Sequence, residues 1–368
     1  MAYEAKNPDK EWFECFFSKK LLQARAYKIE TTRFGIKLDQ NECPFDWPDN
    51  LKEKITHALS KQAWNRYTEP YPIELQSLVA DYAGVYKQSV LLCPGSNYHI
   101  SLLLNLFSRS LKGKIIVARP SFPLYEAHCH YENIPYQTWD LDRDLQYDFD
   151  LLPNIPAGSV IIFASPNNPV GNVLEKNKLE HLLKKHQDSY FIADEAYYDF
   201  AKESYTDLIE HYPNLIILRT FSKSFGAAGI RLGYTIASPF LIEELRKLTL
   251  PFLINQFTIT AISEALQDKE LLQSIEKQIK YVQQEKDKVY ETLLNIAQEK
   301  DFLVYPSQTN FLLLQWPNQN SQNNVLQKLS EKNIFLRDVS RKELTYALRF
   351  TIGNQKENQI LMETLRTI

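Results

Sequence analysis

Glycine is scarce in this chain: 10 in 368 residues, where an average composition of about 7% would give roughly 26. So little of the most permissive backbone residue excludes collagen-like and glycine-rich linker architectures, and it gives weight to the places where glycine does occur. Cysteine is rarer still. Cys15, Cys43, Cys93 and Cys129 stand far apart with no CxxC pair, which excludes a zinc ribbon or a disulfide scaffold and fits a reducing compartment. No charge sign dominates either: 42 basic and 45 acidic residues leave a net charge of −3. That balance gives no bulk attraction to nucleic acid or an anionic membrane, so small molecules are the expected partners. Long apolar runs are missing too. The opening MAYEAKNPDKEWFECFFSKK is polar, so neither a signal peptide nor a membrane span is expected and the chain reads as cytoplasmic.

Core-forming material, by contrast, is ample, at 44% hydrophobic residues, and the length suits two or three domains or one large domain with an appendage. From Leu51 to Tyr82 apolar residues recur at helical spacing, interrupted at Pro70 and Pro72, and HISLLLNLFSRSL (His99 to Leu111) reads as a buried helix. Short apolar runs follow in KIIVARP, SVIIFASP, SYFIADEAYY, NLIILRTFSK and LGYTIASP, separated by helix-like stretches. This alternation predicts an α/β fold with a mainly parallel sheet covered by helices on both faces. The last third changes character: a long polar helix over about Asp268 to Lys300, the strand-like NFLLLQW, a helix near SQNNVLQKLSEK, the strand-like YALRFTIG and a terminal helix. A smaller α+β domain is expected there. The division places a large domain at 46–250 and a small one at 251–368, joined by the N-terminal segment 1–45.

Six of the ten glycines, Gly95, Gly171, Gly226, Gly229, Gly233 and Gly353, fall in short stretches that also carry reactive side chains. SPNNPVG, ADEAYYDF and TFSKSFGAAGIRLGY each follow an apolar run, so they should converge at one sheet edge, where open α/β sheets bind their ligands. With LRFTIG, LDQNECP, NRYTEPYP, PGSN and PSFPLY, they resemble, in order and over nearly the whole chain, the motif set of fold-type I pyridoxal-phosphate enzymes, and within these the histidinol-phosphate aminotransferase family. The resemblance implies pyridoxal 5'-phosphate as cofactor, an amino donor and a 2-oxo acid such as 2-oxoglutarate as substrates, and a homodimer with shared sites.

It also implies roles for particular residues. Lys223 stands where the family forms its Schiff base with the cofactor aldehyde, and afterwards moves the substrate's α-proton. Arg231 holds the cofactor phosphate with a hydroxyl of Thr220 or Ser222, since a guanidinium offers a fixed fork of donors. PGSN adds Ser96, Asn97 and the N–H groups of a helix N-terminus; alone it would be an ordinary cap. Asp194 holds the ring-nitrogen proton. Period-two alternation sends Glu195 to the opposite face, so the two acids are not an acid/base pair. Asn168 and Tyr197 bond the ring hydroxyl, and Phe122 is a stacking ring or a plain core aromatic. Arg349 clamps the substrate's acidic group, with Asn41 and Asn310 lining the same pocket. Arg337 binds a substrate phosphate or is a surface arginine, and Tyr67 reaches the cofactor phosphate of the neighbouring subunit. Asn97 and Tyr98 stand where many relatives carry an acidic pair, and NECP replaces NENP; both departures bear on the substrate and not on the cofactor.

Other classes lack their signals. GxGxxG, GxxxxGK[ST] and GxSxG do not occur at the required places. HCH (His128 to His130) lies in a helix-like stretch where residues two apart diverge, so no metal is expected. The same scaffold also supports decarboxylation of a phosphorylated amino acid, as in threonine-phosphate decarboxylases. Transcription regulators with an aminotransferase-like domain need a preceding DNA-binding domain, for which the first 40 or so residues leave no room.

Overall fold

The computed structural model describes residues 10–17, 22, 34–110, 112–201 and 203–367. Its strands in the first two thirds are β1 (Ile36–Lys37), β2 (Val90–Cys93), β3 (Ile115–Arg119), β4 (Tyr136–Asp140), β5 (Val160–Ala164), β6 (Tyr190–Asp194), β7 (Leu215–Thr220) and β8 (Gly233–Ile236). Seven of them form one sheet in the order β2-β8-β7-β6-β5-β3-β4. From β4 to β7 every neighbouring pair is parallel. Strands buried on both faces need continuous apolar sequence, and β5 (VIIFA) and β7 (LIILRT) are buried at every position. Alternate residues feed two different cores. Ile116, Ile161, Phe163, Phe191 and Ile217 pack on one face, and Val117, Ile162, Ile192, Ile216 and Leu218 on the other.

Two features differ from the sequence expectation. β8 runs antiparallel to both β2 and β7, because residues 221–232 make a direct return and carry no crossover helix, which a parallel neighbour would need. The strands β2 and β4 add one edge each; β4 (YQTWD) is half exposed and polar, so it has no apolar run to betray it. The expected helical stretch from Leu51 to Tyr82 is two helices, Asp49–Ser60 and Ile73–Ala83, the second ended by Gly84 at φ 68°. The buried helix begins three residues before His99, at Ser96, and its described part ends at Ser110.

The last third forms its own layer. β9 (Leu303–Tyr305), β10 (Phe311–Gln315), β12 (Arg337–Asp338) and β13 (Ala347–Thr351) make an antiparallel sheet in the order β12-β13-β10-β9, while the short β11 (Ile334–Phe335) pairs in parallel with β1. Helices Lys269–Lys300 and Gln355–Thr367 cover this sheet, burying Val282, Val289, Leu293 and Leu361 against Phe311, Leu312 and Phe350. Asp268 caps the long helix by accepting from Leu271 N at 2.9 Å. Helix Gln256–Gln267 instead packs on helix Asp49–Ser60, with Ala261, Ile262 and Ala265 in the core of the seven-stranded sheet. The reading of the N-terminal segment lies outside the described residues over most of 1–33. Among the described residues no helix is long and apolar enough to cross a membrane.

Candidate active site

The carboxyl ends of β5, β6 and β7 deliver SPNNPVG, ADEAYYDF and TFSKSF to one edge of the large sheet, against β12 and β13 of the small one. Between them lies a cavity of about 840 Å³. Lys223 is in its wall. The Nζ atom donates to Gln40 O at 3.0 Å and lies 5.6 Å from the centre of the Tyr197 ring. Burial, seconded by the charge of Arg349, lowers the amine's pKa from 10.5 to about 7. The next residue, Ser224, donates its hydroxyl to Asp199 and so ties down the loop that carries the lysine.

Asp194, the last residue of β6, enters the same cavity. It is 5% exposed and accepts from Tyr125 Oη at 2.7 Å and from Ala196 N at 3.0 Å. Burial pushes its pKa up. Glu195 faces away, as alternation predicts: it is 1% exposed, pairs with Arg219 at 2.8 Å and accepts from Tyr205 N at 2.7 Å. A buried ion pair of this kind costs about 3–5 kcal/mol to break from one side.

A cradle for an anion closes the far wall. The helix Ser96–Ser110 starts here, presenting Ser96 and Asn97, and a helix N-terminus offers unpaired N–H groups and a positive dipole end. Arg231 reaches over it, with Nη1 donating to Ala228 O at 3.0 Å and to Ser222 Oγ at 3.3 Å. Thr220 Oγ1 donates to Ser222 Oγ at 3.0 Å, so both hydroxyls the sequence offered stand in the wall. Glycine makes the approach possible. Gly95 has φ 85°, and a Cβ there would sit 2.4 Å from Arg231 Nη2; a Cβ on Gly233 would sit 2.5 Å from the backbone N of Ser96.

Arg349, on β13, donates from Nη1 to Asn168 Oδ1 at 2.5 Å and from Nη2 to Asp39 O at 2.7 Å. Antiparallel pairing sets Arg337 directly opposite Arg349, so the two side chains share a face, and both line the cavity. Asn41 Nδ2 donates to Tyr197 Oη at 2.8 Å. Asn310 stands behind it, outside the wall, and donates from Nδ2 to Asn41 O at 3.1 Å. Phe122 lines the cavity on one side and packs on the core on the other, 5.7 Å from Tyr125. Tyr67 is 86% exposed and rests on Phe252 with ring centres 4.8 Å apart, outside this chain's own cavity. Sequence reasoning missed Tyr125, which closes PSFPLY and bonds Asp194, and the segment Asp338–Glu343, whose Arg341 and Glu343 line the cavity with Glu126. PSFPLY itself was a signal for Tyr125; the 338–343 segment carries none. No cluster of three metal-binding side chains occurs among the described residues.

The residue types fit pyridoxal phosphate: an amine held neutral in part, a buried carboxylate, and a hydroxyl-lined helix start under an arginine. The model of the aminotransferase class I and II family matches residues 34–365. A histidinol-phosphate aminotransferase of Thermococcus gammatolerans is 32% identical over 345 residues, covering 94% of this chain and 95% of that protein. One from Pelodictyon phaeoclathratiforme is 34% identical over 349 residues, covering 93% and 95%. The solved structure of histidinol-phosphate aminotransferase from Sinorhizobium meliloti, in complex with pyridoxal-5'-phosphate, shares the fold with a TM-score of 0.80 at 20% identity, covering 96% of this chain and 97% of that one. By the span of its match and the identity of its relatives, the chain belongs to the class I and II aminotransferase family.

Proposed function

We propose that this aminotransferase uses pyridoxal 5'-phosphate to move an amino group between a donor of the histidinol-phosphate type and a 2-oxo acid such as 2-oxoglutarate. The observation that carries the reading is the convergence of Lys223 and Arg231, from TFSKSFGAAGIRLGY, with Asp194, from ADEAYYDF, on one cavity. The cofactor, when bound, supplies an aldehyde for amines and a ring that takes up the electron pair left when the substrate's α-C–H bond breaks. Arg231, Ser96, Asn97, Thr220 and Ser222 hold its phosphate. Asp194 keeps a proton on the ring nitrogen, steadied by Tyr125 and the Ala196 N–H. Asn168 and Tyr197 orient the ring hydroxyl, Tyr197 being set by Asn41, and Phe122 packs on the ring face.

Lys223 Nζ takes the proton from the substrate's α-carbon and returns it one position along. A pKa of about 7 suits both directions of that transfer near neutral pH. Arg349 clamps the acidic group of the substrate with its planar fork, and Arg337, on the same face, holds a distal anion. Tyr67 and the neighbouring Trp64, exposed at 86% and 80%, support a homodimer in which Tyr67 serves the partner's cofactor. A cytoplasmic location belongs to the same reading. So does the division into a large domain at 46–250 and a small domain at 1–45 with 251–368, supported by the separate core of the four-stranded sheet, although helix Gln256–Gln267 packs with the large one.

The test mixes the purified, cofactor-loaded protein with single amines, including histidinol phosphate, aromatic amino acids and aspartate, and follows the visible absorbance of the cofactor. Conversion by histidinol phosphate, reversed by 2-oxoglutarate, is expected, and Lys223→Ala should lose turnover by about 10³-fold or more. Repeated turnover by Lys223→Ala, or release of carbon dioxide without consumption of an oxo acid, overturns the proposal.

A further inference from the structure

We propose that Arg341 is a specificity-determining residue which, together with Arg337, receives a dianionic phosphate monoester on the substrate. The proposal rests on the aminotransferase reading and adds a second cation that no motif identifies. Arg341 lines the cavity in the segment that follows β12. Its backbone is fixed: Arg341 N donates to Leu344 O at 2.8 Å, Leu344 N returns a bond to Arg341 O at 3.1 Å, and Leu344 is 2% exposed.

The acids around Arg341 are already engaged. Glu343 pairs with Arg119 at 3.0 Å, Asp338 accepts from Ser340 N at 2.9 Å and Gln322 Nε2 at 3.1 Å, and Glu126 accepts from Tyr136 Oη at 3.2 Å. Among the described residues no carboxylate lies within ion-pair distance of the Arg341 guanidinium. It is a part-buried cation in the cavity wall, and burial lowers its pKa. Such a group is costly unless a ligand anion completes it.

The charged neighbours of Arg341 also differ from those of the lysine. The charges acting on Lys223 are those of Arg349, Glu42, Arg231 and Asp194, whereas those acting on Arg341 are Glu126, Glu343 and Arg119. Arg231 is occupied with the cofactor cradle and Arg349 with the first acidic group. Arg337 alone would meet a singly charged tail; two guanidinium forks match a phosphate carrying two charges.

The experiment uses the cofactor-loaded protein and two amine-free probes, propyl phosphate and propionate, titrated by calorimetry into the parent, Arg341→Gln and Arg341→Lys. Donor kinetics with histidinol phosphate and with histidinol accompany the titrations. Arg341→Gln should weaken propyl phosphate and raise KM for histidinol phosphate by about 10- to 100-fold, leaving propionate and histidinol within about twofold. Arg341→Lys, which keeps charge without the fork, should lose about threefold on the phosphate probe alone, and it decides the matter if Arg341→Gln does not fold. Unchanged phosphate affinity, or equal loss for both probes, overturns the proposal. If the parent transaminates phosphate-free donors and binds no propyl phosphate, Arg341 loses this role while the aminotransferase reading stands. If the probes behave as expected but no donor reacts, that reading falls and the anion site is upheld.

Discussion

Lys223 shows how a single side chain can be poised at the expense of the fold that holds it. Its amine is buried beside Arg349, which lowers its pKa from 10.5 to about 7. Between those two pH values the unfolded chain keeps a proton that the folded chain gives up, so folding stability rises with pH across the window and the penalty is fully present below pH 7. Cofactor-free Lys223→Met should therefore be more stable than the parent at pH 7 and below, by about 1–3 kcal/mol, with the advantage fading towards pH 10.5. Thermal melts over that range check it, and a variant that melts lower at every pH would mean that the ammonium is satisfied in the folded state. Lys223, Asp194 and Arg231 were legible in the sequence because each sits within a short motif that follows an apolar run, the lysine and arginine among serines and glycines in TFSKSFGAAGIRLGY and the carboxylate in ADEAYYDF. The bond of Tyr125 to Asp194 and the place of Arg341 were not. Whether Tyr125 Oη points at Asp194 or away depends on how helix Leu124–Tyr131 docks, and nothing local states that.

At the level of elements, the cradle depends on the contact between the start of β8 and the start of helix Ser96–Ser110. A Cβ on Gly233 would stand 2.5 Å from Ser96 N, 2.8 Å from Gly95 C and 3.0 Å from Arg219 O. All three are backbone atoms, which cannot swing aside. Gly233→Ala should cost about 1–3 kcal/mol and push the helix start away from Arg231, weakening cofactor binding about tenfold or more. Gly229→Ala, where a Cβ meets nothing within 4 Å and φ is not positive, should leave the melting behaviour within about 0.5 kcal/mol of the parent. Melts together with an absorbance titration of the cofactor measure both, and equal behaviour of the two variants would remove the steric account. The scarcity of glycine in the sequence pointed to these places. It did not say what approaches them. The direction of β8 escaped the sequence reading for a related reason: the same apolar run serves a parallel or an antiparallel strand, and the short return at 221–232 decides between them.

At the scale of the whole molecule, one predicted site residue stands apart from the rest. Tyr67 is 86% exposed and outside its own chain's cavity. An effect of Tyr67→Phe on cofactor binding therefore needs a second subunit. We expect a species of twice 43.0 kDa in sedimentation, and a loss of about 3- to 10-fold in cofactor affinity for Tyr67→Phe at unchanged stability, the size of one hydrogen bond to a charged group. A 43.0 kDa species with unaltered affinity would sink the shared site. Taken by itself, the sequence determined the alternation of apolar runs, and with it a parallel sheet buried on both faces. It also determined which short motifs carry the amine, the carboxylate and the guanidinium, since these are local patterns of residue type and spacing. Only the tertiary structure decided which side chains share a cavity: that Asn310 stands behind Asn41, that Arg337 lies opposite Arg349, and that Arg341 faces inward among acids already engaged. Those facts join residues hundreds of positions apart, or turn on one loop's path, and packing fixes them where periodicity cannot.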